Sequence, residues 1–204
     1  MRDSTRSNIS NYLLGPKSAL VTAGVAAPVV VLLHLRCFSQ APCTSLVLQF
    51  SSLNSFWLGM TSAISLMEAP VKFTAPTPSV SHILDVGRHV FSALHHAEIV
   101  LSLLSLSIAT TLERRGCILW QSWSTLAKVS AWLPPIIVLT QGLFLWPTLR
   151  EAVEARVQGR PSTSKGVAIH QTYTGTELLK ILSLAITGLQ LSRQAGRIFT
   201  FGSV

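Results

Sequence analysis

Three stretches of the chain carry ionisable side chains inside otherwise apolar sequence. Glu98 follows His95 and His96 in "FSALHHAEIVLSLL", Glu177 and Lys180 share "TGTELLKILSLAITG", and Glu68 and Lys72 close "LNSFWLGMTSAISLMEAPVK". At three- and four-residue spacing such groups share a helix face, where they can relay protons, bind a polar solute or hold a metal ion. His95 and Glu98 have the spacing of ligand pairs in helical carboxylate sites, but the further Glu and Glu-x-x-His elements of a di-iron bundle are missing. No metal or other cofactor is expected.

The same residues have a structural reading. Within lipid, apolar burial cannot hold helices together, and interhelical hydrogen bonds and salt pairs do so instead. On this reading Glu68, Lys72, Arg88, His95, Glu98, Gln141, Glu177 and Lys180 form one intramembrane polar network. The sequence contains no Ser-His-Asp order, HExxH or activated-cysteine pattern, so no catalytic residue is assigned. It also lacks a Gly-rich phosphate loop and an RNA-binding signature, which argues against nucleic acid as partner.

The elements that must position these residues follow from composition. The chain has 204 residues, 49% of them hydrophobic and only 12% charged. Its mean hydropathy is +0.47, far from the quarter-charged usage of an ordinary soluble domain. Five runs approach the roughly 20 apolar residues that a spanning helix needs. They are Ser18 to Leu35, Leu46 to Met67, Val90 to Leu112, Leu126 to Leu149 and Tyr173 to Ser192. The first is rich in small residues and has almost no polar stripe. With its acid-poor upstream stretch, it reads as an accessory signal anchor, cleaved signal or organellar targeting segment. Residues 1–45 are therefore set apart from a four-helix transmembrane domain over residues 46–204.

The net charge of +8 resides mostly between the runs. The N-terminus and the loops after the second and fourth runs hold nine Lys and Arg, and the opposite side holds five. This bias places the N-terminus in the cytosol or matrix, where the sequon Asn8-Ile9-Ser10 stays unglycosylated.

Helical spacing aligns Ser51, Asn54, Thr61, Ser65, Glu68 and Lys72 in the second run. It aligns Arg88, His95, Glu98, Ser102 and Ser105 in the third, with Val90, Leu94, Leu101, Leu104 and Ile108 opposite. In the fifth, Thr176, Lys180, Ser183, Thr187 and Gln190 repeat the pattern; in the fourth, Ser130, Pro134, Gln141 and Thr148 form a fainter line. A bundle with a polar inside and a lipid-facing outside is predicted. Pro70 should end the second helix, and Pro134-Pro135 should kink the fourth.

An acidic residue at a helix centre costs about 2.5–3.5 kcal/mol on insertion scales, against about 0.3–0.6 returned by each Leu, Ile, Val or Phe. The third run holds eleven of the latter, so it can carry Glu98. That carboxyl should hold its proton or find a partner, the candidates being Arg88, Lys180 and His95. His96, off the stripe, is expected near the interface, as are Trp57, Trp120, Trp123, Trp132 and Trp146. Cys37, Cys43 and Cys117 are too few and too irregular for a zinc site or a disulfide framework; a Cys37–Cys43 bridge is the pairing considered.

The segments "FWLGMTSAISLMEAPVKFTAP", "DVGRHVFSALHHAEIVLSLL", "LWPTLREAVEARVQG" and "IHQTYTGTELLKILSLAITG" resemble a family of small uncharacterised multi-pass membrane proteins. More distantly, they are similar to transmembrane protein 205 and its domain-of-unknown-function relatives. The resemblance spans about Asn54 to Leu191, most specifically Glu68-Ala69-Pro70 with Phe73, Gly87-Arg88 with Phe91 and Glu98, and Tyr173 with Glu177 and Lys180. It implies four membrane helices and no enzymatic activity. It also places an Asn of the bacterial pattern at His95, which further weakens a metal site. The expectation is an all-α, multi-pass membrane protein whose network stabilises packing or docks a membrane protein partner or a second copy. A small transporter using Glu98, Glu177 and Lys180 is the alternative.

Overall fold

The structure is a computed structural model that describes residues 17–74, 76, 79–161 and 163–201, the side chains of 197–201 excepted. The sequon at Asn8 and most of the upstream targeting stretch lie outside the described residues. All five apolar runs are helical, and the described residues contain no strand. Helix α1 spans Ser18–Leu33, α2 Cys43–Ser62, α3 Val80–Arg114, α4 Thr125–Thr140, α5 Trp146–Val157 and α6 Ser164–Phe201. Three stretches, Ser18–Phe38, Val80–Arg114 and Thr125–Val157, are long and apolar enough to cross a membrane.

Local chemistry sets the ends. Ser79 and Ser124 cap α3 and α4, their hydroxyl oxygens accepting from the amides of His82 and Ala127. Helix α3 ends at Gly116, whose φ of 58° suits a residue without a Cβ. Cys117 N–H donates to Leu112 O and Gly116 N–H to Glu113 O, the Schellman arrangement. Gly159 ends α5 in the same way, through Arg160 to Ala155 and Gly159 to Arg156.

Three π-helical turns interrupt the α geometry, at His34–Phe38, Ala63–Glu68 and Gln141–Leu145. The second and third sit just before Pro70 and Pro147. A proline has no N–H for the usual bond, and the widened turn accommodates its ring. Two expectations change here. The backbone does not stop at Pro70 but runs on helically through Ala69–Val71 and tightens at Lys72–Thr74. Helix α4 remains α-helical through Pro134-Pro135, and its departure from regular geometry comes later, at Gln141.

Helix α6 packs on α2 and α4, while α3 contacts α1, α2, α4 and α5. Because α3 is surrounded, Leu94, Leu101 and Ile108, expected to face lipid, are buried. The lipid-like surface is elsewhere: Val25, Phe56, Leu139, Phe144, Leu182 and Leu189 are all exposed. The polar stripes point inward as predicted, with Asn54, Thr61, Ser105, Ser183 and Thr187 buried. A bundle with an apolar outer face and polar stripes buried among its apolar layers departs from the soluble pattern and fits a lipid environment.

The interior is layered. At one end Leu46, Phe50, Leu112, Trp120, Trp123 and Leu191 form an apolar cluster. Trp57, Leu101, Val138 and Leu184 form the next layer, and Trp146, Leu149 and Tyr173 lie towards the other end. Trp57, Trp120, Trp123 and Trp146 are therefore core residues rather than interfacial anchors.

The first helix is more than an appendage in its contacts. Thr22 Oγ1 lies 2.7 Å from His96 Nδ1, and His34 Nδ1 lies 3.0 Å from Ser107 Oγ. His96 is thus buried against α1 instead of reaching the interface. A disulfide joins Cys43 to Cys117, with Cα atoms 6.0 Å apart, and Cys37 is free. The Cys37–Cys43 pairing is overturned: the turn after α3 brings Cys117 to the start of α2, and Arg115 donates to the Ala41 carbonyl beside it.

Candidate functional site

The ionic residues Glu98 of α3 and Glu177 and Lys180 of α6 converge with the Gln141 amide, just past α4, between the Trp57 layer and the Trp146 layer. Lys180 is at the centre, fully buried together with Glu98 and Gln141. Its Nζ donates to Glu98 Oε2 at 2.7 Å, to Glu177 Oε1 at 2.7 Å and to Gln141 Oε1 at 3.2 Å. Three ammonium protons thus meet three acceptors.

The second ring of contacts closes the site. Glu98 Oε1 accepts from Trp57 Nε1 at 3.0 Å and Thr61 Oγ1 at 2.9 Å. Glu177 Oε2 accepts from Ser65 Oγ at 3.0 Å, and its Oε1 accepts from Gln141 Nε2 at 2.8 Å. Gln141 Nε2 also donates to Thr176 Oγ1. Every carboxylate oxygen has a donor, which is the condition for holding charge in a low-dielectric interior. Two carboxylates face one ammonium, so the ionised cluster carries one excess negative charge, which a single bound proton would neutralise.

Backbone geometry aims these groups. Glu177 and Lys180 lie one helical turn apart on α6. Gln141 opens a π-helical turn, which shifts the side-chain register of α4 and turns its amide towards α6. Asn54, one layer away, donates to the Leu184 carbonyl at 2.9 Å and fixes α2 against α6.

Of the eight residues predicted for the network, Glu98, Gln141, Glu177 and Lys180 come together. The other four do not join them. Glu68 and Lys72 pair with each other at 3.3 Å near the end of the bundle. Arg88 pairs with Asp85 at 2.6 Å; ten residues from Glu98 along one helix, it is about 15 Å away and is not its partner. His95 is buried, but it stacks on Trp146 with ring centroids 6.4 Å apart, and neither ring nitrogen has a hydrogen-bond partner among the described residues. It packs against the Gly142 backbone, where an added Cβ would lie 2.6 Å from its Nε2. His95, His96 and Glu98 consequently point to different neighbours and do not converge.

Sequence reasoning missed Trp57, although it lies three residues after Asn54 and four before Thr61, on the polar stripe itself. Residue type alone points its indole to the interface; the spacing is the better signal.

A cavity of about 310 Å³ opens beside the cluster, towards the end of the bundle that holds Lys72 and Arg88. Phe91, Trp146 and Tyr173 wall it, Lys72, Arg88 and Arg150 supply positive charge, and Glu177 lines it as well. Lys72 crosses α3 over Gly87, where a Cβ would lie 2.7 Å from Nζ, and its ammonium is 5.1 Å from the Phe91 ring centroid. No protein-family model, curated protein or solved structure matches this chain.

Proposed function

We propose that this chain is a non-enzymatic, multi-pass membrane component in which four core helices, α2, α3, α4 with α5, and α6, are locked by a buried ionic layer. The observation that carries the reading is the closed coordination of Lys180 by Glu98, Glu177 and Gln141. Such a layer joins three helices in lipid, where apolar contact gives little net attraction. The resemblance to small uncharacterised multi-pass proteins supports the same reading. Helix α1 packs on this body, its Thr22 and His34 reaching His96 and Ser107 of α3. The free outer face, rich in exposed Leu, Val and Phe, meets the bilayer and a membrane protein partner or a second copy.

The experiment is native electrophoresis of the gently solubilised chain and of Glu98→Gln, with mass spectrometry of co-migrating proteins. A packing role requires the variant to lose abundance or assembly. A variant that assembles normally would overturn it.

One observation favours a second reading as a proton-coupled transporter: Glu177 belongs both to the ionic layer and to the cavity wall. Glu98→Gln would then keep its fold and lose a flux in proteoliposomes.

A further inference from the structure

We propose that the cavity beside the ionic layer binds an amphipathic anion, a single apolar chain ending in a carboxylate or a phosphate. The inference stands independently of the packing role proposed above. The volume of about 310 Å³ lies at the small end of the range for small-molecule sites.

The walls sort by chemistry along the cavity. Phe91, Trp146, Leu149 and Tyr173 present an apolar, aromatic surface suited to a chain. Among the lining residues, Lys72, Arg88 and Arg150 are cationic and only Glu177 is anionic. Glu177 Oε1 accepts from Gln141 and Lys180 and Oε2 from Ser65, so this carboxylate is turned into the ionic layer, and the three cations outnumber it at the cavity wall.

The acidic neighbours of Lys72 and Arg88 stand outside the cavity. Glu68 and Asp85, which pair with Lys72 and Arg88, do not line the cavity, and their side chains are 32% and 42% exposed. Lys72 has three donors and one carboxylate contact, at 3.3 Å; Arg88 has five donors and uses Nε and one terminal nitrogen on Asp85. Both retain N–H groups for an anionic head. The Phe91 ring beneath the Lys72 ammonium keeps that charge at the cavity without neutralising it. An anion therefore sits with its head at Lys72 and Arg88 and its chain against Trp146 and Tyr173. A cation is repelled and a neutral chain gains only the apolar contacts.

The test uses the full chain in nanodiscs of phosphatidylcholine, with radiolabelled decanoate as the probe. The expected result is saturable binding, displaced by decyl phosphate and at least ten-fold less well by decanol or decyltrimethylammonium. Lys72→Gln with Arg88→Gln should weaken decanoate binding at least ten-fold, and Val153→Trp, which fills the cavity, should abolish it. Displacement by lysophosphatidate pre-mixed into the disc, or by decyl phosphate added from water, supports the site and separates a membrane source from a soluble one. Equal displacement by decanol and decyl phosphate, no saturable binding to the unaltered chain, or full binding by a folded Val153→Trp variant would overturn the proposal. The ligand series on the unaltered chain decides the matter even where a variant fails to fold.

Discussion

The ammonium of Lys180 lies 2.7 Å from a Glu98 carboxylate oxygen, although 82 positions separate the two residues in sequence. That pair ties the centre of α3 to the centre of α6. Glu177 and Gln141 complete the shell, so the ammonium has no proton left over and a third helix is held with the first two. Stranding the ammonium of such a buried set costs more than the set contributes, because it is then left charged and dry.

The stoichiometry makes a specific prediction. With two carboxylates to one ammonium, Glu98→Gln or Glu177→Gln alone leaves a neutral pair and should cost about 1–2 kcal/mol, the scale of a weakened charged hydrogen bond. The double variant strands Lys180 and should cost at least about 3–5 kcal/mol, the scale of a broken buried pair. Thermal unfolding of the four proteins in one detergent checks this. Strict additivity would show that the two carboxylates do not share the ammonium.

Trp57 should behave as part of the same set. Trp57→Phe keeps most of the ring and removes the indole N–H that donates to Glu98 Oε1 at 3.0 Å. A loss of about 1.5–3 kcal/mol is expected, since the acceptor is charged and buried. In a Glu98→Gln background the same change should cost clearly less. An equal cost in both backgrounds would assign the Trp57 contribution to packing.

Much of this was legible in the sequence, and the failures share a cause. Polar residues at helical spacing identified the inner faces of α2, α3 and α6, and Lys180 stood among the partners considered for Glu98. Periodicity gives a direction around one helix and does not say which residues of its stripe share a layer with the neighbouring helices, so it groups Arg88 and Lys72 with Glu98 and Lys180 although they lie at other depths. Likewise, residue type assigned Trp57 and Trp120 to the interface, whereas their indoles reach Glu98 and Glu113. The Cys43–Cys117 bridge was hidden because it depends on where α3 ends, which the Gly116 turn determines.

Gly142 should tolerate no side chain while His95 is present. A Cβ there would lie 2.6 Å from Nε2 and 3.1 Å from Cε1 of a ring already confined by Trp146. Gly142→Ala is expected to destabilise by about 1–3 kcal/mol, the cost of overpacking. His95→Ala should relieve it, so that the double variant is more stable than the sum of its parts. Unfolding midpoints of the three variants check the coupling, and an absence of rescue would place the strain elsewhere in the turn.

The last prediction concerns orientation. Residues 41–43 meet residues 115–117 at one end of the bundle, where the disulfide lies, while Lys72 crosses Gly87 at the other. Disulfides persist in oxidising compartments, and positive loops stay on the cytosolic or matrix side. The Lys and Arg excess lies at the Lys72 end, so both rules favour the same orientation. Lys128, which bonds Gln121 at the disulfide end, narrows the excess without reversing it. Cys37, exposed near the same end, supplies the reporter. In sealed vesicles of known sidedness, a membrane-impermeant maleimide should label it from the oxidising face, giving one thiol per chain before reduction and three after it. A cysteine placed at Gln158, in the turn after α5, should react only from the opposite face. The reverse pattern would place the positive end in the oxidising compartment, and three reactive thiols without reductant would remove the bridge on which the orientation rests.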